Sequence, residues 1–130
     1  MSRYLLDSSF VIDLLNEIAA GDTHGAALAW LKRNRRAQLW VSPVTLAEVL
    51  EGAEDVEAVG AYLGRYAWQG IHRAQAQAQA AARRQRAAQV RLGENDAWQA
   101  AVAECMKARI LGHDAAFQRL GPAYEDYRSP

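Results

Sequence analysis

An α/β domain, with parallel strands alternating with helices over residues 1–130, is the fold class that this sequence predicts. Three observations lead there. Short runs at residues 4–6, 39–41 and 109–112 are separated by stretches in which apolar side chains recur at helical spacing. Each run is too short for a helix and suits a strand buried on both faces. The first run ends on Asp7, and the third is followed by His113 and Asp114; each carboxylate leads into a helical pattern. The chain has 130 residues, 51% of them hydrophobic, which fits one domain with a core; the many alanines make that core helix-rich.

In chain order, Ser8 or Ser9 can accept from the free N–H groups of a first helical turn that carries Phe10, Val11, Leu14 and Leu15. Residues 21–25 are turn chemistry, with Asp22 or Thr23 as cap for a second helix. Its stripe is Ala27, Leu28, Trp30 and Leu31, and its basic end (Lys32, Arg33, Arg35, Arg36) complements the helix dipole. After the strand at 39–41, Ser42 caps, Pro43 takes the first helical position and the helix runs to Leu50. Glu48 lies among Leu46, Val49 and Leu50, on or near the buried face, where a carboxylate needs a partner. Glu51, Glu54, Asp55 and Glu57 read as a solvated acidic face. Val56, Val59, Tyr62, Leu63 and Tyr66 predict another helix, weakened by Gly60 and Gly64, and residues 68–72 are a weak strand candidate. Residues 74–91, rich in alanine and glutamine, are strongly helical by propensity. Gly93 ends that helix, and Glu94, Asn95 and Asp96 open one that runs through Trp98, Ala101, Val102, Cys105 and Met106. Residues 123–127 read as a charged edge strand.

Composition narrows the function. Lys+Arg is 15 and Asp+Glu is 15, so total charge does not announce a nucleic-acid binder. The arrangement is uneven: residues 58–93 contain no acid but hold Arg65, Arg73, Arg83, Arg84, Arg86 and Arg91, a net +6, and the remainder must carry −6. This asymmetry points to a polyanion, with an ordinary exposed helix as the competing reading. A single cysteine, Cys105, allows neither an internal disulfide nor a zinc cluster. The start has no signal-peptide pattern and no apolar run spans a bilayer, so a cytoplasmic protein without a membrane segment is expected. No Walker loop and no dinucleotide fingerprint is present.

The acids form one constellation. Asp7 and Asp114 fall at strand ends, and parallel strands of one sheet bring such ends to the same edge, where ligands bind in open sheets. Glu48 and Asp96 fall in the first turns of helices, and a helix that follows a strand starts at that edge too. Capping alone would account for each acid singly. Together they repel one another, and a hard divalent cation, Mg2+ or Mn2+, resolves that repulsion with oxygen ligands. Such a site can make water nucleophilic and clamp a phosphodiester.

The local contexts are Leu-Leu-Asp-Ser-Ser, Ser-Pro-Val-Thr-Leu-Ala-Glu, Glu-Asn-Asp-Ala-Trp-Gln-Ala-Ala-Val-Ala and Gly-His-Asp-Ala-Ala-Phe, in that order. With these the chain resembles the PIN-domain family, and within it the VapC-type toxins of bacterial toxin–antitoxin pairs. The resemblance implies a three-layer α/β/α fold, a Mg2+- or Mn2+-dependent endoribonuclease acting on RNA, and a cognate antitoxin that blocks the site. Asp7, Glu48, Asp96 and Asp114 match the acidic quartet that is both catalytic and metal-binding, with Asp7 and Asp96 as the most direct ligands. Ser9 matches a position where the family often places a hydroxyl, and Asn95 is a similar supporting residue. Two positions depart from the pattern: Gly112 stands where Thr or Ser is frequent, and Ala116 where some members carry a further acid.

Arg83 and Arg84 are the RNA-contact candidates of the basic segment. Leu46, Val49, Leu50 and Tyr62 are candidates for a groove wall or a homodimer surface. A non-catalytic PIN-like module that binds RNA or protein is the alternative, and a complete quartet argues against it. A phosphatase of the haloacid dehalogenase type also has an Asp after its first strand, but needs a second Asp where this chain has Ser9.

Overall fold

The computed structural model describes residues 2–70 and 74–129. Five parallel strands form one sheet in the order β3-β2-β1-β4-β5: β1 (Arg3–Leu6), β2 (Gln38–Val41), β3 (Ala67–Trp68), β4 (Arg109–Gly112) and β5 (Tyr124–Asp126). The chain runs outward from β1 to β2 and β3, then returns to the other side of β1 for β4 and β5. That reversal beside the central strand opens a crevice at the carboxyl ends of β1 and β4.

The helices are α1 (Ser8–Ala20), α2 (Ala26–Arg33), α3 (Pro43–Glu51), α4 (Val56–Leu63), α5 (Ala74–Ala87) and α6 (Glu94–Cys105), with a 3-10 helix over Ala115–Ala123. Side chains alternate across the strands, so two cores form. Tyr4, Leu6, Val41 and Leu111 face Phe10, Val11 and Leu14 of α1, Trp30 of α2, Val49 of α3 and Leu63 of α4. Leu5 and Ile110 face Ala100, Val102 and Ala103 of α6 and Phe117 of the 3-10 helix. The result is the three-layer α/β/α arrangement expected, with β1 central. Among the described residues no helix is long and apolar enough to cross a membrane.

Local details correct several expectations. Asp7 itself caps α1, accepting from Ser9 N–H at 3.3 Å, so Ser8 is already helical. Gly25 rather than Asp22 or Thr23 precedes α2, and Glu17, ten and eleven residues back on α1, accepts from the N–H groups of Ala27 (3.1 Å) and Leu28 (2.9 Å). A non-local carboxylate thus replaces the local cap. The helix expected over 74–91 stops at Ala87: the Gln85 side chain bonds both the N–H (2.8 Å) and the carbonyl (2.7 Å) of Leu92, turning the chain back. β3 is only Ala67–Trp68, and residues 71 and 72 of that expected strand lie outside the described residues. Val49 is buried in the first core, while Leu46 and Tyr62 pack against that core and, like Leu50, remain partly exposed.

Candidate active site

Each acid is placed by an element junction. Asp7 follows β1 at the center of the sheet and is 3% exposed. Its backbone N–H extends the ladder to Leu111 O at 2.9 Å, and its Oδ2 accepts the Ser9 hydroxyl at 2.7 Å. The same Ser9 Oγ accepts the His113 N–H at 2.9 Å, joining the β1–α1 turn to the end of β4. Between them passes Gly112, where a Cβ would stand 2.9 Å from Asp7 Cβ and 3.0 Å from Ser9 Oγ. Ser9 Oγ and Asp7 thus occupy the space that a side chain at position 112 would enter.

Asp114 caps the 3-10 helix, accepting the Ala116 N–H at 2.9 Å. Its own N–H donates to the Tyr124 hydroxyl at 3.0 Å, and that hydroxyl lies 3.2 Å from Gly112 O, to which it donates. Glu48 sits half-buried on α3 beside Ser8 and Asn95, whose side chains favour its charged form. Asp96 is half-buried in the first turn of α6.

The electrostatics show that the four share one space. Burial raises the pKa of Asp7, and the Asp114 charge adds to this, while the Ser9 hydrogen bonds oppose it. Glu48 is raised by burial and then by the charges of Asp7 and Asp114. Asp96 is pushed up to about 6 by burial, then by Asp114, Asp7 and Glu48. Carboxylates that raise one another's pKa in this way are a feature of functional sites. Among the described residues no three His, Cys, Asp or Glu side chains close into a ready-made metal cage. The donor set is nonetheless all oxygen, strongly anionic and open on one side, which fits a hard divalent cation that keeps part of its water shell.

A pH dependence follows. The carboxyl of Asp96 holds its proton more tightly folded than unfolded, so its contribution to stability is complete below about pH 4 and is lost as pH rises through about 6. Glu48 and Asp7 act in the same sense. Asp13 is lowered by Tyr127 and Arg128 and acts oppositely, but only on acidification below its ordinary value. The cation-free protein is therefore expected to melt at a higher temperature at pH 5 than at pH 7.5. Thermal melts in chelator across this range measure it, and a melting temperature that rises with pH would contradict it.

The structure brings Asp7, Glu48, Asp96, Asp114, Ser9 and Asn95 together. Arg83 and Arg84 lie elsewhere: both pair with Glu104, at 3.3 and 3.4 Å, near the other end of α6. That end is roughly 12 Å along the helix from Asp96 at 1.5 Å per residue. His113 is exposed and its Nδ1 lies 3.1 Å from Asp126. Sequence reasoning missed Tyr124 and a buried group of Ser42, Thr45 and Gln99; the one signal for the latter was a glutamine inside an alanine-rich run.

The family model of the PIN domain matches residues 4–121. The chain belongs to the PIN domain family. Among solved structures, this PIN domain is similar to a toxin–antitoxin complex from Klebsiella pneumoniae, with a TM-score of 0.77 and 20% identity, covering 95% of this chain and 97% of that one. It is similar to VapBC-1 from nontypeable Haemophilus influenzae, with a TM-score of 0.71 and 20% identity, covering 96% and 98%. It is also similar to VapC20 of Mycobacterium tuberculosis, a sarcin-ricin loop cleaving toxin, with a TM-score of 0.70 and 21% identity, covering 91% and 95%. At these identities the likeness is one of fold. A comparison with curated proteins gives no match.

Proposed function

We propose that this PIN domain is a divalent-cation-dependent endoribonuclease and the toxin of a toxin–antitoxin pair. The observation that carries the reading is the quartet of Asp7, Glu48, Asp96 and Asp114 at one sheet edge, where burial and then the neighbouring carboxylate charges raise the pKa of Asp7, Glu48 and Asp96. The likeness of fold to VapBC toxins supports it. Bound there, Mg2+ or Mn2+ would activate a water and polarise a phosphodiester. Asp7, held by Ser9, and Asp96 are the principal ligands in this reading, with Glu48 and Asp114 completing the charge. Hydrogen bonds from Ser8 and Asn95 favour the charged form of Glu48 against the burial that opposes it. Asn95 and His113, at the edge of the acids, are exposed. Arg83 and Arg84 would meet RNA only where a strand runs on along α6.

The cognate antitoxin is proposed to offer an arginine to the acids, a bidentate contact satisfying the charges a cation satisfies. The similar structure from Klebsiella pneumoniae is a toxin–antitoxin complex. A homodimer is part of the proposal, with the partly exposed Leu46, Leu50 and Tyr62 as candidates for its surface and Val49 excluded by burial.

The experiment is RNA cleavage by purified protein stripped with chelator and then given Mg2+ or Mn2+. Restored internal cleavage, suppressed by the product of the neighbouring small reading frame, is the expected result. RNA bound but left intact with either cation would favour the non-catalytic module.

A further inference from the structure

Three of the four acid-bearing elements meet at a buried polar cluster that touches none of the acids. Ser42, Thr45 and Gln99 are each 0% exposed. Ser42 Oγ donates to Gln99 Oε1 at 2.6 Å, and Gln99 Nε2 donates to Thr45 Oγ1 at 2.7 Å and to Leu6 O at 3.4 Å. Thr45 Oγ1 gives its one proton to Leu6 O at 2.6 Å, and Ser42 Oγ also accepts the Thr45 N–H at 3.3 Å. The orientation of the carboxamide is therefore fixed. Thr45 has spent its proton on Leu6 and can only accept from Gln99, so the NH2 end faces Thr45 and the oxygen faces Ser42.

The positions of these residues give the cluster its meaning. Leu6 immediately precedes Asp7, Thr45 lies one turn before Glu48 on α3, and Gln99 lies one turn after Asp96 on α6. One amide thus ties the end of β1 to the first turn of α3 and the second turn of α6, helices that pack on opposite faces of the sheet. The neighbours of Gln99 on α6 (Ala97, Ala100, Ala101, Val102 and Ala103) are all buried and apolar, so an apolar residue would suit the packing there equally well. Replacing hydrogen-bonded pairs with apolar groups of the same shape is often nearly neutral for stability. What an apolar contact does not supply is direction. A fully satisfied buried network fixes one relative placement of its members.

We propose that Gln99 is a positioning residue for the acidic site: its carboxamide holds β1, α3 and α6 so that Asp7, Glu48 and Asp96 stand at one mutual spacing. This rests on the cation-binding reading above, and deepens it. Four repelling carboxylates tend to spread apart in the cation-free protein, and the network opposes that spreading from beneath.

The test uses Gln99→Met, and a double variant, Thr45→Val with Gln99→Met, which removes donors and acceptors together and guards against a folding failure of the single change. Two measurements are made on full-length protein. The first is Mn2+ binding by calorimetry without RNA. A loss of about 10-fold or more in affinity is expected in both variants, as for residues that orient metal ligands from behind. The second is millisecond exchange broadening of the Asp7, Glu48 and Asp96 amides in cation-free protein, expected to appear in the variants and not in the parent. Gln99→Asn, one methylene shorter, is expected to rescue neither. A folded variant with parental Mn2+ affinity and unbroadened amides would overturn the proposal, leaving Gln99 a packing residue. Failure of the parent itself to bind Mn2+ would sink the cation reading instead, and the amide measurement would still decide the role of Gln99.

Discussion

Asp96→Asn protein is expected to cleave RNA at least ~10-fold more slowly than the parent, the low end for disturbing metal affinity or activity, while melting at a higher temperature in chelator at pH 7.5. The two effects have opposite signs for one reason. Burial and the charges of Asp114, Asp7 and Glu48 push the Asp96 carboxyl up to about 6, so at pH 7.5 the folded state carries a charge it would rather lose. Asparagine keeps the size and removes the charge, relieving the repulsion and weakening the hold on a cation. A site that stores strain of this kind trades stability for function. Asp7→Asn should lose activity similarly, with a smaller thermal gain, because the carboxylate there also receives the Ser9 hydroxyl and N–H. Parental cleavage rates in purified Asp96→Asn would remove this residue from the site, and a lowered melting temperature would refute the electrostatic account.

Gly112→Ala is expected to be the most damaging single-methyl change near the site. The new Cβ would lie 2.9 Å from Asp7 Cβ, 3.0 Å from Ser9 Oγ and 3.2 Å from Asp7 Oδ2. None of these atoms yields easily: Asp7 is pinned through its N–H to Leu111, and Ser9 Oγ is shared between Asp7 and the His113 N–H. Overpacking in such a place typically costs about 1–3 kcal/mol, and here the displaced atoms are those of Asp7, a principal ligand in the proposed function, so cleavage should fall with stability. Adding Ser9→Ala to Gly112→Ala should recover part of the stability by vacating the hydroxyl's space. Urea melts of the two variants measure this, and a Gly112→Ala protein as stable as the parent would show that β4 can move aside.

The acids were legible because each stands where a pattern changes. Asp7 ends an apolar run, Glu48 interrupts an apolar stripe and Asp96 follows a glycine stop, and the parallel sheet then does the gathering. Ser42 followed by Pro43 was equally readable, because both cap chemistry and the fixed φ of proline are local properties. What was hidden depends on partners far away in sequence. The cap of α2 comes from Glu17 on α1, the end of α5 from Gln85 closing on Leu92, and the Ser42–Gln99 bond spans 57 positions. Propensity continues the alanine-rich helix to residue 91, since nothing local in that run stops it.

The strand order also governs when the acidic site can form during synthesis. β1 is synthesized first, yet its neighbour β4 carries residues 109–112, and Asp114 comes later still. While the ribosome is still translating β2, β3 and the helices after them, the central strand has one flank bare and Asp7 has neither the Leu111 carbonyl nor Ser9's contact to His113. Pairings between distant parts of a chain form late. An unfinished nascent chain therefore has an incomplete quartet, and an antitoxin that recognises the assembled edge has nothing to capture until β4 has docked. On the proposed function, activity and its inhibition would share one starting moment, set by the order in which the sheet is threaded.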